Sequence, residues 1–225
     1  MVETKLAFIL VVVLIMPFMA LLTSSLVPAM GVPLTLETLS FDAYRTILSE
    51  QSVTFRAMQN SLLLSIGAAL TLICITMPLA YLSEKQPGKI TRSIVRLIDI
   101  PFTLPGVVLS IACILMFARP LPLIGISLYG TLGIIFVAYI ARFMSVSFKP
   151  IHNSMKQLDP SLEEAAELAG ASLWQRLIHI VFPLLLPSAF AGGLLVFLNA
   201  VNELTVSALL WSAGNETLGV IVFSG

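Results

Sequence analysis

Charged residues are scarce in this sequence. They make up 11% of its 225 residues, whereas soluble domains carry about 25%. Hydrophobic residues account for 58%, and the mean hydropathy is +1.00. A soluble fold of this length could not hide so much apolar surface, which excludes a soluble globular domain. The formal net charge is zero, so the charge balance does not indicate a nucleic-acid partner.

Residues that usually carry redox, metal or catalytic chemistry are also few. Cys74 and Cys113 each lie inside an apolar run, which favours small core residues over a disulfide. His152 and His179 are isolated, and the nearest carboxylates lack the spacing of a metal site. An intramembrane hydrolase would need a nucleophile with a base, or a pair of carboxylates at matching depth. No His lies in any apolar run, and Asp99 has no Asp partner in another run. We therefore predict no metal, no cofactor and no catalytic residue.

The hydrophobic residues are grouped into runs of about 20, the length at which a helix crosses about 30 Å of hydrocarbon. Each run predicts a helix, because a segment in lipid must satisfy its own backbone hydrogen bonds. The predicted spans are residues 6–26, 60–82, 97–118, 129–148 and 183–203. Prolines inside them are expected to kink the helices rather than end them, namely Pro17, Pro78, Pro105 and Pro187. The predicted fold is an all-α, polytopic transmembrane helical bundle.

Three segments modify this pattern. The run 6–26 is longer than a signal-peptide core and lacks a small-x-small cleavage site, so we expect it to be retained. Residues 27–59 alternate short apolar groups with charged residues such as Asp42 and Glu50, which predicts one amphipathic helix at the outer interface. A new apolar stretch opens at Leu218 near the end of the sequence. With five spans before it, this stretch predicts a sixth helix that is missing at the C-terminus.

The lysines and arginines predict an orientation. With a cytoplasmic N-terminus, the inside segments hold Lys5, Lys85, Lys89, Arg92, Arg96, Lys149, Lys156 and Arg176, and the outside segments hold Arg45, Arg56 and Arg119. The excess of basic residues inside fits the positive-inside rule. We therefore expect Lys89 and Lys156 to face the cytoplasm and Ser40 and Pro122 to face outside.

A short helix with clear boundaries is predicted between the fourth and fifth spans. Asp159 can cap a helix whose first residue is Pro160, and Gly170 can take the left-handed conformation that ends it. Glu163 and Glu164 lie near the positive end of this helix. Its small apolar face consists of Leu162, Ala165, Ala166 and Ala169. Such a face suits docking into a groove of another protein.

The same loop carries a spaced motif. Glu164, Ala165 and Ala166 are followed after three residues by Gly170, and after nine more by Ile180, Val181, Phe182 and Pro183. This pattern resembles the cytoplasmic motif of the membrane subunits of binding-protein-dependent ATP-binding-cassette (ABC) importers, which reads Glu-Ala-Ala, three residues, Gly, nine residues, Ile-x-Leu-Pro. Only Phe182 departs from it, in place of Leu. Further similarities are Asn60-Ser61, Pro105-Gly106 and Asn202-Glu203-Leu204.

The resemblance implies a division of labour. Residues 1–225 would form one ABC transporter transmembrane domain of the bacterial inner membrane, with a core from about residue 56 to residue 225. A cytoplasmic ABC ATPase dimer would supply energy, an extracytoplasmic binding protein would deliver solute, and a second permease half would complete the path. Residues 149–182 would form the coupling loop, whose ATPase-docking residues are Glu163, Glu164, Ala165, Ala166 and Gly170. The sequence has no Gly-x4-Gly-Lys-Ser/Thr phosphate loop, so ATP hydrolysis is expected in a partner.

The resemblance also bears on the solute. The chain is most similar to iron(III)-type permeases, especially the second half of those made as two fused halves, which implies iron(III) as the solute. Permeases for polyamines, thiamine, phosphonates or sulfate are alternatives. A channel outside the ABC class is a further alternative, but it would need a carbonyl filter or a ring of charge. It would also leave the Glu-Ala-Ala loop without a role.

Polar residues near the outer end of the fifth run are candidates for the solute path. Asn199, Asn202 and Glu203 lie there, and polar groups at membrane depth usually face the bundle interior or a water-filled route. The alternative is that they mark where the helix leaves the lipid. Arg142 lies two-thirds along the fourth run. We expect it to snorkel to the cytoplasmic surface or to pair with Asp99.

Overall fold

The computed structural model describes residues 2–29, 31–47, 52–85, 88–120, 125 and 127–224. All regular elements in this described part are helices, so the predicted all-α membrane bundle is confirmed. By length and composition, four helices can cross a membrane, and a bent helix pair brings the number to five if it is counted as one span. Contacts divide the chain into two compact units, Met1–Phe55 and Arg56–Gly225.

The first unit begins with a long apolar helix. Helix α1 (Val2–Leu10) continues through a π-helical turn (Val11–Ile15) into α2 (Met16–Ser25). Pro17 has no N–H to donate to the preceding turn, which accounts for the widened helix just before it. The apolar window Phe8–Ser25 contains no buried residue, as expected of a helix whose solvent is lipid.

The amphipathic helix predicted over residues 27–59 is wrong. In the part of this segment that the structure describes, only α3 (Asp42–Arg45) is an α-helix before the next long helix begins at Ser52; Glu50 lies outside the described residues. Side chains bond to the nearby backbone instead, as when the Thr38 hydroxyl donates to Pro33 O at 2.7 Å. Such local bonds compete with helix formation.

The remaining helices form the bulk of the second unit. They are α4 (Ser52–Lys85), α5 (Lys89–Leu97), α6 (Ile100–Thr103), α7 (Gly106–Phe117), α8 (Leu132–Gln157), α9 (Pro160–Leu168), α10 (Leu173–Arg176), α11 (Phe182–Val201), α12 (Ser207–Leu210) and α13 (Leu218–Ser224). A π-helical turn, Leu177–Val181, joins α10 to α11. Pro78 and Pro187 lie inside α4 and α11, so the prediction that they do not end their helices is confirmed.

The third predicted span, residues 97–118, is broken rather than kinked. The helix pair Lys89–Thr103 and Gly106–Phe117 is bent by 114° at the break, where Leu104 is extended. The residue before a proline is driven out of the helical region by the proline ring, so Pro105 ends one helix and precedes the next. Helix α7 has 12 residues and is therefore only about 18 Å long.

Glycines let the helices of the second unit approach closely. A Cβ on Gly192 of α11 would lie 2.9 Å from the backbone oxygen of Ser147 in α8. A Cβ on Gly106 would overlap the Thr205 hydroxyl and lie 2.8 Å from the Thr205 Cβ, so α7 packs directly against the Thr205 side chain. Close approach of this kind is typical of helices that associate in lipid.

The two ends of this bundle differ in chemistry. One end, called the basic end here, contains the ion pairs Lys85–Glu163, Lys149–Asp99 and His152–Glu84. At the other end, called the loop end, backbone carbonyls accept side-chain hydrogen bonds from Asn60 and Asn215. The basic residues of the second unit that the sequence assigns to the inside therefore gather at one end, which is consistent with the predicted orientation.

Candidate functional site: helix α9 and the broken-helix junction

Helix α9 is bounded as the sequence predicts. The Asp159 carboxylate accepts a hydrogen bond from the Ser161 N–H at 2.9 Å, and this bond holds the pKa of Asp159 below its usual range. Gly170 has a φ of +86°, and its N–H donates to Glu167 O at 2.9 Å. A left-handed residue after the last turn is a common way for a helix to end. The cap and the stop leave a rigid, nine-residue helix.

The two acids of α9 face in different directions. Glu163 is only 9% exposed; its Oε1 lies 2.9 Å from Lys85 Nζ, and its Oε2 accepts a hydrogen bond from the Tyr81 hydroxyl at 3.1 Å. Glu164 is exposed. Successive helical residues are rotated by about 100°, so one carboxylate meets the end of α4 while its neighbour points away from the bundle.

A second ion pair joins α9 to the following helix. The Glu167 carboxylate accepts a hydrogen bond from the Arg176 guanidinium. Ser172 caps α10 in a capping box, in which its N–H donates to Gln175 Oε1 at 2.8 Å and its hydroxyl accepts from the Gln175 N–H at 3.3 Å. Helix α9 is therefore attached to α4 on one side and to the α10–α11 helix on the other.

The outer face of α9 is bare. Leu162 is 46% exposed and Leu168 is 90% exposed, while Ala165 is exposed and Ala166 is half-buried. No atom lies within 4 Å of the position that a Cβ on Gly170 would occupy, so the need for glycine there is conformational and not steric. An apolar face beside acidic groups on a capped helix is suited to a groove in another protein.

The predicted path residues separate into two groups. Asn199 and Asn202 are exposed, and each side-chain amide donates to a carbonyl of its own helix, at 2.7 Å to Leu195 O and 2.8 Å to Leu198 O. Glu203 turns inward, where its side chain is 10% exposed. The structure therefore does not bring the three residues together into one site.

Glu203 belongs to a junction of broken helices that the sequence did not predict. Its Oε2 lies 3.2 Å from Arg142 Nε, and Arg142 Nη1 donates to Leu104 O at 3.1 Å. Glu203 Oε1 accepts hydrogen bonds from the Thr205 hydroxyl and from the Val206 N–H. The Arg142 guanidinium therefore connects two helix breaks, the one between α6 and α7 and the one between α11 and α12.

Both expectations for Arg142 are wrong, for a geometric reason. Helix α8 runs to Gln157, nine residues beyond the predicted end of the fourth span, so Arg142 lies near the middle of the helix. It is too far from either end to snorkel. Asp99 pairs with Lys149 instead, at 2.9 Å. An arginine in the middle of a spanning helix needs a buried partner. The sequence signal that identifies this partner is Glu203, the acidic residue at the end of the next predicted span.

A polar network closes the loop end of the bundle. The Asn60 side-chain amide donates to Glu216 O at 2.9 Å, and the Leu218 N–H donates to the Ser61 hydroxyl at 2.7 Å. The Gly214 N–H donates to the Glu216 carboxylate at 2.9 Å. Together with the nearby Arg56 guanidinium, this bond holds the pKa of Glu216 below its usual range. The Asn60-Ser61 pair therefore ties the start of α4 to the segment before α13.

Metal-binding geometry is not found in the described part of the chain, where no three His, Cys, Asp or Glu side chains are grouped closely enough to hold an ion. Glu163, Glu167 and Glu203 are each paired with a cation, whereas Glu164 is exposed. The site therefore consists of the exposed apolar face of α9 and a charged junction inside the bundle.

Comparison with solved structures gives the fold of known relatives. The crystal structure of a bacterial ABC transporter involved in the import of the acidic polysaccharide alginate superposes with a TM-score of 0.74 and 16% identity, covering 99% of this chain and 81% of that one. At this identity the likeness concerns the fold.

Sequence comparison finds permeases. The probable ABC transporter permease protein y4fN of Sinorhizobium fredii is 26% identical over 227 residues, covering 100% of this chain and 40% of that protein. The Fe(3+)-transport system permease protein FbpB 2 of Haemophilus influenzae is 28% identical over 171 residues (74% and 32%). The putative 2-aminoethylphosphonate transport system permease protein PhnU of Salmonella choleraesuis is 29% identical over 190 residues (79% and 63%). The chain thus spans less than two thirds of each of these relatives.

The family assignment rests on a match to the binding-protein-dependent transport system inner membrane component, over residues 76–224. The matched region runs from within α4 to α13 and includes α9 and the broken-helix junction. It covers more than half of the chain. This chain therefore belongs to the family of binding-protein-dependent transport system inner membrane components, the permease subunits of ABC importers.

Proposed function

We propose that this chain lines part of the solute path of an ATP-driven importer and passes the conformational change of a cytoplasmic ATPase into the membrane through α9. The observation that carries the proposal is the form of α9. The helix is capped at Asp159 and ends before Gly170, Glu163 pairs with Lys85 of the bundle, and its outer face is exposed. An ABC ATPase dimer is the partner for that face, and ATP hydrolysis takes place in the dimer.

Coupling requires that the docked helix moves the spans with it. A partner shifts a conformational equilibrium only if it contacts the two states differently. The helix that the ATPase contacts must therefore be attached firmly to the membrane helices. The Glu163–Lys85 pair attaches α9 to α4, and the Glu167–Arg176 pair attaches it to the α10–α11 helix. In this proposal, Glu163 transmits the force, while Glu164, Ala165, Ala166 and Gly170 meet the ATPase.

The solute path follows the exposed side of α11. Asn199 and Asn202 are exposed at the end of that helix, and polar groups at membrane depth favour a polar route over lipid. Glu203 is neutralised by Arg142, so we assign it to the wall of the path and not to the solute. Alternating access needs two membrane halves that move about a shared path. A second permease half, either another copy or a fused or related subunit, therefore faces this surface.

The orientation follows from the charge pattern. The basic end holds Lys85, Lys149 and Lys156 and carries α9, so the positive-inside rule favours a cytoplasmic position for α9. For the N-terminus, the same rule applied to Lys5 favours the cytoplasm. An extracytoplasmic binding protein then delivers the solute at the loop end.

Iron(III) is the first candidate for the solute, because a relative of 28% identity is named as an Fe(3+)-transport permease. 2-Aminoethylphosphonate is the second candidate, because a relative of 29% identity is named for it. Solute selection is assigned chiefly to the binding protein.

Reconstitution tests both the function and the solute. The chain would be placed in proteoliposomes with its second permease half and its ATPase, and each candidate solute would be offered with its binding protein. We expect ATP-dependent uptake of iron(III) by the assembly and no uptake by this chain alone. Uptake of the phosphonate but not of iron(III) would contradict the choice of solute. Solute uptake by these 225 residues without any other subunit would contradict the division of labour.

A further inference from the structure

Helix α5 exposes cationic and large apolar side chains on different sides. Arg92 and Arg96 lie four residues apart and therefore share one side. Ile90 and Leu97 are 78% and 57% exposed on another side. A short helix that exposes both cations and large apolar side chains is typical of the boundary between lipid headgroups and acyl chains.

A cavity lies between this helix and the basic end of the bundle. Its volume is about 180 Å³, several times the roughly 30 Å³ that a water molecule occupies in the liquid, so a phosphate group fits inside. Arginines, hydroxyls and a histidine line it, together with one apolar side chain, and the lining residues are Ser83, Thr91, Arg92, Val95, Arg96 and His152. Guanidinium and hydroxyl donors that face one space are suited to phosphate oxygens.

The two arginines of the cavity lack acidic partners. In the part of the chain that the structure describes, neither Arg92 nor Arg96 takes part in an ion pair or a side-chain hydrogen bond, in contrast to Arg142 and Arg176. The nearby acids are already engaged. Glu84 pairs with His152 at 2.8 Å and lies 3.9 Å from Lys156, and Asp99 pairs with Lys149. The cavity therefore keeps an uncompensated positive charge.

We propose that this cavity binds the phosphate of an anionic phospholipid, with Arg92 and Arg96 as the principal ligands and the Thr91 hydroxyl as a supporting donor. The acyl chains of the lipid lie along the exposed face of Ile90 and Leu97. A lipid fits better than a free phosphate because the apolar face adjoins the cationic one on the same helix. Basic pockets between spanning helices on the cytoplasmic side are established places for acidic headgroups.

Native mass spectrometry of the purified chain in detergent tests the proposal. Phosphatidylglycerol and phosphatidylcholine with identical acyl chains would be compared at equal concentration, and phosphatidylglycerol should be retained preferentially. Each arginine near an anionic surface contributes about fivefold in affinity. Arg92→Gln and Arg96→Gln should each weaken phosphatidylglycerol binding by about fivefold, and the double variant by about twentyfold or more. Phosphatidylcholine carries the same phosphate beside a choline cation, so its retention should fall less than that of phosphatidylglycerol. An unchanged far-UV circular dichroism spectrum reports that the variants are folded.

Lys89→Gln is the matched control, because it removes one positive charge from the same helix without altering the cavity lining. It should change phosphatidylglycerol binding by less than about twofold. Arg96→Lys, which keeps the charge, should bind better than Arg96→Gln. Equal retention of the two lipids, or a loss with Lys89→Gln as large as that with Arg96→Gln, would overturn the proposal. Displacement of the lipid by an equal concentration of inorganic phosphate, or by the ATPase, would overturn it in favour of a soluble phosphate ligand or of a protein interface.

Discussion

Glu163 Oε1 lies 2.9 Å from Lys85 Nζ, and this contact fixes α9 to the end of the long helix α4. The adjacent Glu164 is exposed. The two consecutive acidic residues therefore lie in different surroundings. Glu163 contacts the bundle, and Glu164 lies on the outer surface of α9. We therefore expect substitution of Glu163 to affect transmission of the conformational change, and substitution of Glu164 to affect docking of the ATPase.

Glu163→Gln should uncouple the subunit without releasing the ATPase. The substitution keeps the shape of the side chain but removes the charge that pairs with Lys85, and a hydrogen bond to a charged group contributes about 1.5–3 kcal/mol. Solute uptake should fall by about tenfold or more, while ATPase co-purification stays within about twofold. Uptake, co-purification and membrane abundance would be measured together.

Glu164→Gln is the matched comparison, since it changes the neighbouring acid in the same way. It should lower ATPase co-purification. Lys85→Gln should reproduce the effect of Glu163→Gln, and combining the two should cost little more than either alone. If Glu163→Gln and Glu164→Gln behaved alike in all three measurements, the separation of attachment from docking would be wrong.

Substitution of Gly170 should weaken docking through backbone conformation. At a φ of +86°, a residue with a Cβ costs about 1–2 kcal/mol, although there is open space for the side chain. Gly170→Ala should therefore reduce ATPase co-purification by about fivefold or more. Gly170→Asp should reduce it further by adding a charge beside the partner. Membrane abundance should stay normal for both.

Gly170→Asn is the informative control, because asparagine tolerates the left-handed region better than alanine does. It should retain more ATPase than Gly170→Ala. Wild-type co-purification and uptake with all three substitutions would show that the end of α9 is not part of the docking surface.

Breaking the Arg142–Glu203 pair should destabilise the bundle. Each side chain is mostly buried, and removal of one partner leaves an uncompensated charge at a cost of about 3–5 kcal/mol. Arg142→Gln or Glu203→Gln alone should lower the thermal stability of the purified chain. The double substitution should be less harmful than the sum of the two. Additive losses in a thermal unfolding assay would contradict direct pairing.

The sequence alone predicts those structural elements whose sequence signals are local. Residue types at fixed spacing specify the cap at Asp159, the stop at Gly170 and the apolar runs. The sequence does not predict the Arg142–Glu203 pair, because it joins residues 61 positions apart and because the hydrophobic run ends before α8 does. A proline within an apolar run predicts a kink at Leu104–Pro105. Whether the helix breaks there depends on contacts with a distant segment, Thr205–Val206, which the sequence does not show.

The face of Glu163 could not be predicted for a related reason. Helical periodicity placed it near the docking acids, but only the position of Lys85 and Tyr81 at the end of α4 decides which way its carboxylate turns. Tertiary partners therefore determined the roles of charged residues, whereas local sequence determined the helix that carries them.

Gly192→Ala should destabilise the packing of α8 against α11. The added Cβ would lie 2.9 Å from the Ser147 backbone oxygen, which cannot move without shifting the helix, and overpacking costs about 1–3 kcal/mol. Gly193→Ala is the control. Its Cβ would meet the end of the Ile73 side chain at 2.5 Å, and that side chain can rotate away. A thermal stability assay should rank Gly192→Ala below Gly193→Ala; the reverse order would contradict the close backbone approach.

Site-directed cross-linking to the ATPase tests the central claim most directly. A photoreactive group attached to cysteine at position 165, on the bare face of α9, should cross-link to the ATPase with a yield that changes between the ATP-bound and nucleotide-free states. A second group at position 215, at the loop end, should give no cross-link to it. Nucleotide-dependent cross-linking from Ala165→Cys alone is the result that the account predicts. Absence of any cross-link from position 165 in an assembly that transports solute would contradict it.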